Sequence, residues 1–213
     1  MKKLIYLWIL PFTILVAVGC IKHEVIPAPT QTIDLTCYFK GSINSTDINW
    51  VQNIDDYDCY ATITKTTIQD AGKLSKAVYY AEMKSSSIKG SIKIGLGSVL
   101  WDYNSTENPT LKLYSDFMNA NTKPKYSNNG SFGFEVQYKD KSDRVWVSDS
   151  LTRGNNIQFI GVKQESDLGH DYSKFIARFN CYVYRTYIDA VSKDTIKDSI
   201  SIKNGEFKGW FTR

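Results

Sequence analysis

Acidic side chains and one imidazole gather in a nine-residue stretch, "QESDLGHDY", at residues 164–172. Glu165, Asp167, His170 and Asp171 offer three carboxylates and one ring nitrogen, a donor set that divalent cations accept. Their spacing matches no known metal-binding loop, and Asp, Gly and Ser are equally typical of a solvated turn between strands. The four residues are candidates for a cation site, but we expect a turn and no bound metal or other cofactor.

Signatures of catalysis are absent from the rest of the sequence. A Ser-His-Asp triad would depend on His170, and the chain has neither a Gly-x-Ser-x-Gly elbow nor a glycine-rich phosphate loop. A glycosidase needs only two carboxylates that the fold places across from each other, and nothing in the sequence selects such a pair. We expect a non-catalytic protein, and a glycan-acting hydrolase with paired carboxylates is the alternative.

Aromatic side chains are the other candidates for ligand binding. The chain contains five Trp and fourteen Tyr, and their flat rings can stack on sugar faces while neighbouring polar groups bond the hydroxyls. Large aromatic residues also fill the cores of β-rich domains, which is the alternative role for each of them. The residues that could form a glycan platform are Trp50, Trp101, Trp146, Tyr182 and Tyr184.

Strands must position these residues, because apolar and polar side chains alternate along much of the chain. The clearest runs are 33–40, 57–66, 91–101, 132–139 with 144–148, 157–163 and 173–187. Asn204-Gly205 predicts a hairpin turn, residues 110–120 predict a short helix, and residues 75–84 fit either structure. The pattern predicts an all-β fold, an antiparallel β-sandwich with one or two short helices; the alternative is a closed β-barrel.

Three cysteines fall on the apolar faces of predicted strands. Cys37, Cys59 and Cys181 each alternate with apolar neighbours, so all three are expected to point inward. Three thiols cannot all pair, which leaves either one disulfide or buried thiols that behave as small apolar residues. A zinc site is disfavoured because no Cys-x-x-Cys motif accompanies them.

A fourth cysteine, Cys20, follows an N-terminal segment typical of a secretory signal peptide. Lys2 and Lys3 precede an apolar run that ends at Gly19 and is shorter than the roughly 20 residues of a membrane span. Small residues before a cysteine resemble the bacterial lipobox, in which the cysteine is acylated after cleavage. We therefore predict a signal peptide at 1–19, lipidated Cys20 with an extended tether at 20–32, and a single β-sandwich domain at 33–213.

Longer stretches carry a second resemblance. The segments "CIKHEVIPAPT", "SSSIKGSIKIGLGSVLW", "ENPTLKLYSDF" and "YSNNGSFGFEVQYKD" resemble uncharacterised Bacteroidota envelope lipoproteins. The resemblance implies a lipid anchor and a β-rich fold, and it carries over no catalytic residue. Ile21 stands where Asp would favour the inner membrane, so the resemblance implies the outer membrane, with the periplasmic or surface orientation open.

The charge balance argues against a nucleic acid as the partner. The formal charge of +4 falls to +2 without Lys2 and Lys3, and no stretch concentrates Lys and Arg as a nucleic-acid-binding surface would. The sequence predicts a lipid-anchored cell-envelope protein that contacts the membrane through its lipid and binds a glycan or protein partner. The other alternative is a structural accessory of an outer-membrane assembly.

Overall fold

The computed structural model describes residues 33–127, 131–150 and 156–213. The predicted signal peptide and tether, and with them Cys20, lie outside the described residues. The described chain forms ten β-strands and one helix: β1 Tyr38–Ile43, β2 Thr46–Val51, β3 Tyr57–Thr66, β4 Ser75–Ser85, β5 Ser91–Trp101, α1 Leu111–Ala120, β6 Gly133–Lys139, β7 Val145–Ser148, β8 Asn156–Ser166, β9 Asp171–Ile188 and β10 Thr195–Thr212.

Alternating side chains determine which face of each strand is buried. In β9, Phe175, Ala177 and Phe179 are buried, whereas Arg178 between them is exposed. Successive side chains of a strand point to opposite faces, so one face of β9 joins the core and the other faces outward. The predicted strands at 57–66 and 173–187, and the hairpin of 132–139 with 144–148, are confirmed.

One antiparallel sheet contains all ten strands. The strand order is β2-β1-β10-β9-β7-β6-β5-β4-β3, and β8 pairs with the first half of β9 while β7 pairs near its end. The sheet curls into a half-barrel, and β10 contacts β3 and β4 from the other half. The all-β prediction is confirmed. The expected two-sheet sandwich and closed barrel both differ from this single sheet, because strand pairing runs unbroken from β2 to β3 without closing.

Helix α1 covers part of the apolar face. The Thr110 side chain caps its first turn by accepting from the Leu113 amide at 3.3 Å. Tyr114 is fully buried, packs against Tyr79 with ring centroids 5.0 Å apart, and donates its hydroxyl to the Phe211 carbonyl at 2.9 Å. The predicted helix at 110–120 therefore ties β4 to the end of β10.

Two local predictions need correction or completion. The predicted hairpin at Asn204-Gly205 is wrong: both residues lie inside β10, where the pairing with β9 shifts register between Ile202 and Gly205. Asn204 has the positive φ of 51° that such a turn requires. One left-handed residue, however, produces a β-bulge, and the chain continues in the same direction. The ambiguous stretch at 75–84 is a strand, β4.

Candidate functional site

Two of the predicted platform residues belong to the core. Trp101 is 2% exposed and donates its ring N–H to the Thr106 carbonyl at 3.1 Å. Trp146 is 5% exposed and donates to Asp140 Oδ2 at 3.1 Å. Their polar atoms are satisfied inside the protein and their rings are covered, so neither forms part of a surface platform.

The other three aromatic candidates do not share one surface. Trp50 packs against the core and stacks on Tyr57 with centroids 4.9 Å apart. Tyr182 and Tyr184 lie on the outer face of β9, where Tyr182 is 42% exposed. The Lys197 ammonium lies 4.2 Å from the centre of the Tyr184 ring. The structure thus brings Tyr182 and Tyr184 onto one face and places Trp50 elsewhere.

The four cation-site candidates have protein partners in the β8–β9 turn. Glu165 pairs with Lys163 and Lys174, and Asp171 pairs with Arg213 at 2.5 Å. Asp167 accepts from the backbone amides of Gly169 and His170, as the expected turn does. These bonds lower the pKa of Asp167. In residues 164–172 the carboxylates therefore serve turn geometry and ion pairs.

A cation site elsewhere in the described chain would likewise require clustered metal-binding side chains. Among the described residues, no group of three or more His, Cys, Asp or Glu side chains could hold a metal ion.

A cleft of about 530 Å³ opens on the outer face of β8, β9 and β10. This volume is in the range of small-molecule sites. We call it the β8–β10 cleft. Its lining residues are Lys123, Asn156, Ile157, Gln158, Arg178, Phe179, Asn180, Asn204, Gly205 and Glu206.

A row of polar side chains crosses the floor of the cleft. Strand register places Gln158 beside Arg178, Arg178 beside Glu206, and Glu206 beside Lys40 of β1. Arg178 Nε donates to Glu206 Oε2 at 2.7 Å, while Lys40 Nζ lies 2.9 Å from Glu206 Oε1. Alternating charges on neighbouring strands therefore hold the guanidinium in place.

Glu206 is the one carboxylate among the described lining residues of the cleft, and three donors satisfy it. The Tyr38 hydroxyl donates to its Oε1 at 2.7 Å, in addition to the contacts with Lys40 and Arg178. The Tyr38 hydrogen bond, with those of Lys40 and Arg178, lowers the pKa of Glu206 to about 2 against the cost of burial. Burial and the same hydrogen bond raise the pKa of Tyr38 to about 12. Glu206 thus stays ionised at neutral pH.

Three asparagines form one wall of the cleft. Asn156 Oδ1 accepts from both the backbone amide and the side-chain amide of Asn180, each at 3.0 Å. Asn180 Oδ1 in turn accepts from the Asn204 amide at 2.7 Å, at the bulge of β10. The bulge thus turns Asn204 into the wall, and the amides form a chain across three strands.

Donors for a ligand remain on the cleft side. Arg178 donates to Glu206 through Nε, and 61% of its side chain remains exposed. Gln158 and Lys123 also line the cleft and are exposed. Amides both donate and accept, and a guanidinium presents a planar fork that matches a carboxylate. The cleft can therefore bond a polyhydroxyl ligand that carries an acidic group.

Sequence reasoning missed these residues. Strand alternation does place Arg178 and Asn180 on the outer face of β9, opposite Phe179. Strand register places them beside Glu206 and Gln158, and the periodicity of a single strand does not predict register. A polar residue facing outward gives no sign of which distant strand lies beside it.

Comparisons with protein-family models, with curated proteins and with solved structures found no match. Within the described residues, no helix has the length and apolar character that crossing a membrane requires.

Proposed function

We propose that this protein is a lipid-anchored binding module of the cell envelope, whose β8–β10 cleft binds a glycan that contains an acidic sugar. The observation that carries the proposal is Arg178, which Glu206 holds at Nε beside the amides of Asn156, Asn180 and Gln158. Sugar hydroxyls both donate and accept, as do side-chain amides. The guanidinium supplies a partner for the carboxylate of a uronic acid.

The charges of the cleft favour an anionic ligand. Lys123 and Arg178 contribute two positive charges, and Glu206, the one carboxylate among its described lining residues, is neutralised by Lys40 from outside the cleft. A neutral glycan would offer the guanidinium hydroxyl acceptors but no carboxylate to match its charge and planar fork. The proposal therefore names an acidic glycan as the ligand.

Binding is favoured over hydrolysis. A glycosidase needs a second carboxylate across the bond and a general acid with a raised pKa. Among the described lining residues Glu206 is the single carboxylate, and its pKa is lowered to about 2. These features support a binding role.

Affinity electrophoresis against polygalacturonate tests the cleft, with neutral dextran as the comparison glycan. We expect polygalacturonate to retard the wild-type protein, and Arg178→Ala to lose at least tenfold in affinity because the charged partner of the carboxylate is gone. Arg185→Ala is the matched control, since Arg185 lies on the same strand beside Tyr187 and outside the cleft. Equal retardation of both variants, or equal retardation by dextran, would contradict the proposal.

A further inference from the structure

Two of the three buried cysteines lie side by side. Cys37 immediately precedes β1 and is 2% exposed, and Cys59 lies in β3 and is 7% exposed. Strand β10 brings them together: Tyr38, the neighbour of Cys37, pairs with Lys208, and a Cβ at the adjoining Gly209 would lie 3.5 Å from Cys59 Sγ. Cys181 of β9 lies apart from them, beside the hydroxyl of Tyr126.

Gln52 fixes the backbone on both sides of this pair. Its side-chain oxygen accepts from the Cys37 amide at 3.1 Å, and its side-chain nitrogen donates to Asp58 Oδ1 at 2.9 Å. The same Asp58 oxygen accepts from the Cys59 amide at 2.8 Å. One glutamine side chain therefore connects the two cysteine residues through hydrogen bonds and holds their positions.

The two strands belong to opposite ends of the sheet. Cys37 leads into β1, the second strand from one end, whereas β3 is the last strand at the other end. No ladder pairs β2 with β3 in the described sheet; the turn at 52–56 connects them, and within it the Asn53 amide donates to the Tyr57 carbonyl at 2.9 Å. A bond between Cys37 and Cys59 would add a second covalent link across the open side of the half-barrel.

We propose that Cys37 and Cys59 form a disulfide that fastens the two ends of the sheet together, and that Cys181 stays a thiol. Both cysteines lie beside the same stretch of β10 and are linked through Gln52, so a small movement brings the sulfurs to the S–S bond length of about 2.05 Å. The oxidant is a disulfide, either a small molecule or a protein. One cysteine thiolate attacks it and releases one thiol, and the second cysteine displaces the other. The pair loses two protons and two electrons, and the oxidant is reduced to two thiols.

The reaction belongs to the folding stage. The hydrogen bond with Cys37 and burial both raise the pKa of the Cys59 thiol, and burial raises that of Cys181 to about 12. The thiolate is the reactive form, so the packed protein resists attack. An oxidant reaches the pair while the chain is still folding.

Refolding of the reduced full chain in glutathione disulfide, followed by alkylation and trypsin, tests the cross-link. Trypsin cleaves after Lys40, between the two cysteines, so the bridge joins fragments 23–40 and 41–65. We expect this linked pair, with fragment 179–185 alkylated at Cys181. Alkylation of both Cys37 and Cys59, or a link to fragment 179–185, would overturn the proposal. The fragments exclude Cys20, so the result is independent of the lipid anchor and of glycan binding.

Thermal unfolding gives a second readout. A bridge closing a loop of this length is expected to raise Tm by roughly 6–12 °C over the reduced protein. Cys181→Ala should keep this difference between the oxidised and reduced forms, whereas the double variant Cys37→Ser/Cys59→Ser should lose it. A difference that persists in the double variant would assign the effect to another cause and overturn the proposal.

Discussion

Three donors surround the carboxylate of Glu206, and together they explain why a buried acid stays charged. Tyr38, Lys40 and Arg178 come from two other strands, and each bonds one of its two oxygens. A buried carboxylate without partners would shift toward its neutral form. Here the hydrogen bonds outweigh burial, so the ionised residue contributes to folding as well as to the cleft.

The free energy of unfolding should depend on pH through the ionisation of Glu206. Its pKa is about 2 in the folded protein against an ordinary value of 4.5, so the folded state binds fewer protons than the unfolded state between these values. The contribution of Glu206 is complete above pH 5 and is lost as the pH falls toward 2. We expect the difference in unfolding free energy between wild type and Glu206→Gln to shrink by roughly 2–3 kcal/mol over that range. Urea unfolding at several pH values measures it, and a difference independent of pH would contradict the assignment.

Strand β10 contains a β-bulge between Ile202 and Gly205 that shapes the cleft. It runs through eighteen residues and pairs with β1 on one side and β9 on the other. The bulge at Asn204 changes the register within this strand and places the Asn204 amide against Asn180. Strand β10 thus supplies one residue to each part of the cleft. Asn204, at the bulge, belongs to the asparagine wall, and Glu206, just after it, pairs with Arg178.

Gly205 should be intolerant of a side chain. A Cβ at this position would lie 2.9 Å from the Phe179 ring and 3.1 Å from the Phe179 carbonyl oxygen, which is backbone and cannot rotate away. We expect Gly205→Ala to destabilise the protein by roughly 1–3 kcal/mol. Gly169→Ala is the control, because its nearest neighbour atom would be 3.9 Å away. Denaturant midpoints compare the two, and equal stabilities would show that the bulge can relax.

The whole molecule combines an open curled sheet with a proposed anchor at its N-terminus. Residues 33–36 lead into Cys37 and β1, and Gln52 links Cys37 by hydrogen bonds to Asp58 of β3, at the far end of the sheet. Any load that an N-terminal anchor transmits therefore enters where the two ends of the sheet meet. A disulfide at this point would pass the load to β3 rather than peel β1 from β10.

Membrane attachment should depend on Cys20 alone among the residues near it. We expect Cys20→Ala to abolish acylation and release the protein from the membrane fraction, because the proposed lipobox makes this thiol the site of the first lipid and several acyl chains are needed for a stable anchor. Lys22→Ala should stay membrane-bound. Metabolic labelling with a fatty-acid analogue and detergent phase partitioning give the result. A labelled, membrane-bound Cys20→Ala protein would contradict the lipobox interpretation.

Local alternation of apolar and polar residues was enough to predict most of the strands and the direction of their side chains. Alternation predicted β3 and β9 closely, the β6–β7 hairpin, and the inward positions of Cys37, Cys59 and Cys181. These features are local, since two-residue periodicity follows from backbone geometry wherever a strand has one buried face. The same information placed Arg178 and Asn180 on an outer face.

Which outward residues meet depends on the pairing of strands that are distant in the sequence. Register across β8, β9, β10 and β1 brings Gln158, Arg178, Glu206 and Lys40 into one row. Packing of the whole sheet also decided that Trp101 and Trp146, two candidates for a surface platform, are buried. The physical reason is that pairing of strands distant in sequence depends on the summed packing of the whole sheet, whereas periodicity records only the two faces of one strand. Asn204-Gly205 shows the same limit: its positive φ was predictable, but the flanking strands decided that it is a bulge.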